Sequence, residues 1–279
     1  FMGMGTYTYM KGGFPGEDLP GVYDALPFLV ANVNRNLGFE KSPEDFISVK
    51  GKKVVVLGGG DTAMDCVRTA IRQGAVSVKC LYRRDKANMP GSQREVQNAE
   101  EEGVDFVWLT APRGFVGSDH VQGVIVQKMR LGAPDTSGRQ SPEIIEGADY
   151  TEAADLVIQA LGFEPEDLTG QWDAPDLAVT RWGTVKADFR SHATNLPGVY
   201  AAGDIVRGAS LVVWAIRDGR EAADAFVARR IENVMAFEKA KLRVKDKIGS
   251  APSLASVLST SVSIWNFSVS ERELSSARE

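Results

Sequence analysis

The stretch VVVLGGGDTAMDC, residues 54–66, joins an apolar, β-branched run to a glycine-rich turn and the start of a helical pattern. Within it, Gly58-x-Gly60-x-x-Ala63 matches the fingerprint of dinucleotide-binding folds. Gly58 allows the tight turn, Gly60 lets the backbone approach a pyrophosphate, and Ala63 keeps the helix close to the strand. The stretch therefore predicts a dinucleotide site, and a tight turn that binds no ligand is the alternative.

The helix after this turn begins with Asp61 and Thr62, so we include both residues in the predicted site. A helix N-terminus offers free N–H groups and about half a positive charge to phosphates. DTAMDCVRTAIRQG is helical up to Gly74, VSVKCLYRR is strand-like, GSQREVQNAEEEG is helical, and VDFVWLT is strand-like again. This β-α-β-α-β order predicts a parallel sheet.

The end of the second strand predicts which nucleotide binds. A fold that binds NAD or FAD has an acidic residue there, about 20 residues after the glycines, to bind the ribose hydroxyls. This chain has Arg83 and Arg84 instead. A guanidinium group suits a 2′-phosphate and would leave a ribose diol without its acceptor. The sequence therefore predicts NADP(H), and two solvated arginines at a strand end are the alternative.

The segments on either side of this unit predict further elements. YDALPFLVANVNRN has helical spacing that places Leu26, Leu29, Val30 and Val33 on one face. The residues from about 115 to 150 have the texture of an antiparallel meander. ADLVIQALGFEPE follows and predicts a buried strand that ends at the glycine before Phe163.

GVYAAGD, residues 198–204, predicts a second cofactor contact. An apolar strand runs into Gly203 and Asp204, and a helix is expected to follow. In reductases that bind two nucleotides, such a strand places its carboxylate on the ribityl chain of FAD, and the next helix directs its N–H groups at the flavin ring. We therefore expect Asp204 to bind FAD together with the backbone near Leu211 and Val212. An aspartate that caps the next helix is the alternative.

Composition and charge narrow the function classes. The 279 residues are 43% apolar and 25% charged, as in soluble globular proteins. A net charge of −5 and a pI near 5.3 argue against nucleic acid or an anionic membrane as a partner. No apolar run approaches the roughly 20 residues of a membrane span.

Cys66 and Cys80 cannot form a Cys-x-x-Cys pair or hold an iron–sulfur cluster alone, so we expect a reducing, cytoplasmic location. His120 and His192 are expected to be ordinary surface or loop residues.

Six stretches of the chain are typical of one family: GMGTY, GVYDALPFLVAN, GKKVVVLGGGDTAMDCVRTAIRQGA, YRRDKANMPGSQREVQNAEEEGV, ADLVIQALGFEPE and AAGDIVRGASLVVWAIRDGREAAD. With them the chain resembles the small (beta) subunits of NADPH-dependent glutamate synthases, within the FAD/NAD(P)-dependent pyridine nucleotide-disulfide oxidoreductase superfamily. The resemblance covers residues 1 to about 228. It is shared more loosely with the flavin-reductase modules of dihydropyrimidine dehydrogenase and of ferredoxin:NADP transhydrogenases.

The resemblance implies an α/β fold in which a Rossmann-like NADPH-binding domain is inserted into a partial FAD/NAD(P)-binding domain. We expect the NADPH domain at residues 51–154 and the flavin-type domain at residues 1–50 and 155–228. A charged helix and a serine-rich tail are expected at residues 229–279.

The same resemblance implies that NADPH reduces FAD, and that iron–sulfur centres pass the electrons to a glutamate synthase large subunit, which makes glutamate from glutamine and 2-oxoglutarate. It places Gly5, Thr6 and Gly162 in the cofactor site. In that family an iron–sulfur domain and the first FAD-binding β-α-β unit precede the stretch seen here. We therefore expect this chain, which begins at Phe1, to be the C-terminal portion of such a subunit, with an incomplete FAD site and iron–sulfur clusters in the preceding part or in a partner.

Two other functions stay open at this point. The first is a module that binds NADPH without turnover. The second is a disulfide reductase of similar architecture, which the lack of a Cys-x-x-Cys pair disfavours. Hydride transfer between stacked rings needs no acid or base from the protein, so the sequence predicts no catalytic side chain.

Overall fold

The computed structural model describes residues 1–136, 138 and 140–248, with all side chains among them except those of residue 44 and residues 241–248. Residues Phe1–Gly219 form one compact unit, and the residues from Arg220 onward form a second. The described part of the second unit is helical up to Ile248. The predicted serine-rich tail lies outside the described residues.

The strands of the described residues are short, except in the meander. They are β1 (Thr8–Tyr9), β2 (Val22–Asp24), β3 (Lys53–Leu57), β4 (Ser77–Tyr82), β5 (Asp105–Trp108), β6 (Thr110–Gly117), β7 (Val121–Pro134), β8 (Gln140–Ile144), β9 (Tyr150–Ala153), β10 (Leu156–Gln159) and β11 (Phe163–Glu164). The helices are α1 (Ala25–Leu37), α2 (Asp61–Arg72), α3 (Gln93–Glu101), α4 (Leu168–Gln171), α5 (Asp204–Arg207) and α6 (Val212–Ile248).

A parallel sheet with the strand order β2-β10-β3-β4-β5 forms the centre of the first unit. The run β3-α2-β4-α3-β5 is the predicted β-α-β-α-β unit, so the α/β fold with a parallel sheet is confirmed. β10 is buried along its whole length and β3 from Val54 onward, because both strands lie inside the sheet and are covered on both faces. α2 stops close to Gly74, whose φ of +87° suits the end of a helix.

Each face of the parallel sheet has its own apolar core. Successive side chains of a strand point to opposite faces. Val56 and Ile158 therefore pack with residues of α1, α2 and α3 on one face. Val55 and Val157 pack on the other face with meander residues such as Val124.

The predicted meander is present and extends beyond its predicted bounds. β7 lies in its middle and pairs antiparallel with β6, β8 and β9. The meander starts at Thr110, because β6 follows β5 almost directly along the chain. It ends at Ala153, the last residue of β9.

The parallel sheet extends across both predicted domain boundaries, which need correction. β2 and β10 pair side by side, and β10 pairs with β3, so Val22–Asp24 and Leu156–Gln159 belong to the same sheet as the glycine-rich unit. α1 packs on this sheet as well. Its Ala25 and Phe28 lie in the apolar core between the sheet and α1, α2 and α3, which we name the helix-side core. β2 has only three residues, which is too short for a periodic pattern, so this pairing was not predicted. The assignment of NADPH and FAD to two separate parts stays a prediction.

The predicted apolar face of α1 is also corrected by the structure. The helix forms over Ala25–Leu37, but Val30 and Val33 are 52% and 50% exposed, whereas Phe28 is fully buried. The helix packs on the sheet through Ala25 and Phe28, with Leu29 at the edge of that core. The periodicity predicted the helix but not which of its sides faces the sheet.

GVYAAGD forms isolated bridges rather than the predicted strand. Tyr200 pairs singly with Ala193, and Ala201 pairs singly and in parallel with Met2. ADLVIQALGFEPE likewise ends its main strand at Gln159, three residues before the predicted end at Gly162. A third core joins residues from both parts of the predicted flavin-type domain: Met2, Leu168, Leu177, Val185, Ala201 and Ile205.

None of the helices in the described residues combines the length and the apolar composition that crossing a bilayer requires.

The side of α1 that faces the sheet can be tested by substitution. We expect Phe28→Ala to lower the free energy of unfolding by about 3 to 5 kcal/mol, because it leaves a cavity in the helix-side core. Val30→Ala, on the exposed side, should change it by less than about 0.5 kcal/mol. Urea denaturation measures both values. A larger loss for Val30→Ala than for Phe28→Ala would mean that the helix packs through the face predicted from periodicity.

Candidate dinucleotide and flavin site

The turn after β3 needs a glycine at its first position. Gly58 has a φ of +140°, and a Cβ there would collide with the carbonyl oxygen of Ala160. β3 and β10 end side by side, with Leu57 opposite Gln159, so the turn passes directly against the neighbouring strand. A Cβ on Gly60, in contrast, would meet only open space. These positions suit a turn that approaches a ligand at Gly60.

The N-terminus of α2 presents N–H groups that are available to a ligand. Gly60 is the N-cap residue, and its carbonyl accepts the N–H groups of Ala63 and Met64. The N–H groups of Asp61 and Thr62 have no acceptor among the residues that the structure describes. Ala63 is fully buried, which lets α2 lie close to the sheet. This geometry is that of an anion-binding helix N-terminus.

The two arginines after β4 lie in different surroundings. Arg83 is exposed and lines a cavity beside the glycine turn. Arg84 is half-buried, and its Nε is buried with no hydrogen-bond partner in the described part of the chain. A buried guanidinium nitrogen without an acceptor is costly.

The cavity has a volume of about 910 Å³, which is ample for a large cofactor. It joins the glycine turn to the segments that were predicted to bind flavin. The predicted site residues that line it are Thr6, Gly58, Gly60, Asp61, Thr62, Arg83, Gly162, Asp204 and Leu211. The predicted site residues outside its wall are Gly5, Ala63, Arg84, Gly203 and Val212.

On the far side of the cavity, the polar side chains of Thr6 and Asp204 line the wall. Thr6 is only 6% exposed, and its Oγ1 has no hydrogen-bond partner within the described residues. Asp204 is partly buried, and its Oδ1 accepts a hydrogen bond of 2.7 Å from the Ser210 hydroxyl. Asp204 is the first residue of α5 and Gly203 is the N-cap, so Asp204 is not an N-cap of that helix.

Asp218 supports this side of the site, and the sequence analysis missed it. It is 2% exposed and accepts hydrogen bonds from Nε and Nη2 of the Arg207 guanidinium, with Nη2 at 2.6 Å from Oδ1. This ion pair joins α5 to α6. The hydrogen bonds from Arg207 keep the pKa of Asp218 below its usual range. No local pattern marks an ion pair between two residues that lie eleven positions apart.

The histidines differ from each other. His120 is exposed, as predicted. His192 lies in a loop, as predicted, but it is only 4% exposed and has a φ of +54°, so it is a buried loop residue and not a surface one. Isolated bridges flank His192 in this loop, between Ala187 and Thr194 and between Ala193 and Tyr200.

Both cysteines are buried. Burial raises the pKa of the Cys66 thiol far above its usual range and that of Cys80 to about 12. The Cys80 thiol donates to the Gly58 carbonyl oxygen at 3.4 Å, so it supports the glycine turn. Among the described residues, no group of three histidine, cysteine, aspartate or glutamate side chains could hold a metal ion.

The sequence is similar to that of known glutamate synthase small chains. It is 70% identical over 223 residues to a putative glutamate synthase (NADPH) small chain of Cereibacter sphaeroides, which covers 80% of this chain and 54% of the relative. It is 58% identical over 239 residues to the glutamate synthase (NADPH) small chain of Azospirillum brasilense, which covers 85% of this chain and 48% of the relative. The chain spans about half the length of these curated relatives. The predicted resemblance is confirmed.

The fold also has a close match among solved structures. FprA from Mycobacterium tuberculosis in complex with NADPH matches with a TM-score of 0.62 and 18% identity, over 92% of this chain and 67% of that chain. At this identity the likeness shows the fold alone. The family model described as pyridine nucleotide-disulphide oxidoreductase matches residues 12–219, which is most of the sequence. The chain therefore belongs to the pyridine nucleotide-disulphide oxidoreductase family.

Proposed function

We propose that this chain forms the NADPH-binding part, and one side of the flavin site, of a small subunit of NADPH-dependent glutamate synthase. One observation carries the proposal: a single cavity joins the glycine turn and Arg83 to the partly buried Asp204 and Thr6. The identity to glutamate synthase small chains supports the choice of enzyme.

The residues at the glycine turn suit the phosphates of NADPH. The free N–H groups of Asp61 and Thr62 and the dipole of α2 would bind the pyrophosphate, and the open space at Gly60 leaves room for its approach. Arg83 lies at the cavity wall, at the strand end where the adenosine ribose binds in such folds. It would bind the 2′-phosphate, and the unpartnered Nε of Arg84 marks a place for a further anionic acceptor.

The residues on the other side of the cavity suit part of FAD. The Asp204 carboxylate would accept a hydrogen bond from a ribityl hydroxyl, and the buried Thr6 hydroxyl offers a second polar contact. Leu211 and Val212, just before and at the start of α6, are 52% and 70% exposed. A flavin ring would cover such an apolar surface.

When both cofactors are bound, NADPH supplies a hydride and FAD accepts it. The chain's own part in this step is to bind and orient the two groups and to exclude water, since no proton has to be moved by a side chain. The expected onward route, through iron–sulfur clusters to a glutamate synthase large subunit, is part of the proposal. Cys66 and Cys80 are buried apart from the cavity, so such clusters would need ligands from another part of the protein or from a partner.

The choice of NADPH over NADH tests the proposal directly. Replacing both Arg83 and Arg84 by alanine should weaken NADPH binding by about 2 to 4 kcal/mol, because each charge-assisted contact contributes about 1.5 to 3 kcal/mol. NADH has no 2′-phosphate, so its affinity should barely change. Isothermal titration of the chain with each nucleotide measures both values.

Arg130→Ala is the matched control for this pair. Arg130 is an exposed arginine of the meander that pairs with Glu143, and it does not line the cavity. Its loss should leave both affinities unchanged. Equal losses for NADPH and NADH in the double variant would show that Arg83 and Arg84 stabilise the fold and do not select the nucleotide.

The thiols test the disulfide-reductase alternative. Because burial raises the pKa of both cysteines, we expect the native chain to react with a thiol reagent at pH 8 at a negligible rate, and the urea-unfolded chain to react at both thiols. Absorbance of the released chromophore measures this. Rapid reaction of one thiol in the native chain would contradict this expectation and favour the disulfide-reductase alternative.

A further inference from the structure

Asp61 lies where a carboxylate is unexpected, in the first turn of a helix that we propose to bind phosphates. Its negative charge would repel a pyrophosphate at close range. Its Oδ1 instead accepts a hydrogen bond of 2.8 Å from the N–H of Ser92. Beside this bond, the Gly91 N–H donates to the Gly59 carbonyl at 2.9 Å. A Cβ on Gly91 would lie 3.1 Å from that carbonyl oxygen, so the two backbones are in close contact.

These contacts fix one end of residues 83–92, which we name the arginine segment. Its other end leaves β4 directly, beside Tyr82, whose ring packs so tightly on Gly59 that a Cβ there would collide with it. The segment is also tied internally. The Tyr82 hydroxyl donates to the Asn88 carbonyl at 3.1 Å, and the Asp85 carboxylate accepts from the N–H of Asn88 at 3.0 Å. Both ends of the arginine segment therefore rest on the glycine turn.

The N–H of Ser92 is available to Asp61 because the expected local partner is engaged elsewhere. Ser92-x-x-Glu95 at the start of α3 is the pattern of a capping box, in which the glutamate would accept the serine N–H. Here Ser92 makes no side-chain cap, and Glu95 forms an ion pair with Arg68 of α2. The carboxylate of Asp61, in α2, therefore accepts the Ser92 N–H that Glu95 of α3 would accept in a capping box.

We infer that Asp61 is a positioning residue that ties the arginine segment to the glycine turn and so sets the distance between the pyrophosphate and 2′-phosphate subsites. The inference rests on the proposed NADPH function. A ligand that carries both phosphate groups depends on this distance, whereas a ligand without the 2′-phosphate does not.

The hydrogen bond can be removed from either side. Asp61→Ala removes the acceptor. Ser92→Pro removes the donor with little strain, because the φ of Ser92 is −55°, close to the value that proline requires. Gln93→Pro is the matched control: it puts proline at the first position of α3, where proline is tolerated, and the N–H of Gln93 has no acceptor among the described residues.

We expect Asp61→Ala and Ser92→Pro each to weaken NADPH binding about five- to tenfold, and the double variant to be no weaker than either single variant. NADH binding should change less than about twofold, so that the preference for NADPH falls; a general loss of folded protein would reduce both affinities equally. Asp61→Asn should keep most of the affinity, because the amide oxygen can still accept from Ser92. Gln93→Pro should bind both nucleotides as the unchanged chain does. Isothermal titration measures the affinities, and thermal denaturation shows that each variant is folded.

Two results would overturn the inference. If Ser92→Pro binds NADPH normally while Asp61→Ala does not, Asp61 contacts the nucleotide itself. If NADPH and NADH lose affinity equally, the bond stabilises the fold without setting the distance between subsites. Failure of the proposed function gives a different result, since the unchanged chain would then show no preference for NADPH, and both conclusions would fall.

Discussion

The close approach of Gly58 to the carbonyl oxygen of Ala160 fixes the geometry of the whole site. The N–H of Ala160 donates to the Leu57 carbonyl at 2.8 Å, and the N–H of Gly58 donates to the Leu81 carbonyl at 3.2 Å. The turn is therefore held between β10 on one side and β4 on the other. α2 has to begin at the carboxyl edge of the sheet, where parallel folds bind their ligands. The arginines after β4 and the glycine before β11 reach the same edge for the same reason.

The arginines of the described residues differ in whether a carboxylate pairs with them. Arg68 and Arg72 of α2 share Glu102, and the hydrogen bonds from Arg68 and Arg72 lower the pKa of that carboxyl. Arg207 is paired with the buried Asp218. Arg83 and Arg84, in contrast, form no ion pair in the described part of the chain. The cations of Arg68, Arg72 and Arg207 are thus neutralised where they join elements of the fold, whereas Arg83 and Arg84 at the edge of the sheet are the two that we propose to bind an anion.

Most strands of the central sheet, and the part of the candidate site around the glycine turn, could be predicted. The sequence patterns that mark them lie within short segments of the chain. The glycines, the helix that follows them and the two arginines all lie within 27 residues, from Gly58 to Arg84. Each position has a backbone or charge requirement that does not depend on the rest of the fold. The strand and helix patterns from Lys53 to Trp108 are likewise properties of short windows, and the structure has these elements close to their predicted places.

The sequence by itself determined the glycine turn, the parallel β-α-β-α-β order and the meander, and it predicts a phosphate-bearing nucleotide. Only the tertiary structure decided which strands flank β3, which side of α1 is buried, that His192 lies inside, and that Asp218 pairs with Arg207 and Ser92 with Asp61. These features depend on contacts between residues far apart in the chain, such as β2 with β10 and Asp61 with Ser92. A periodic pattern states that a helix or strand has an apolar side. It does not state what that side meets, because the partner is brought to it only by the folding of the whole unit.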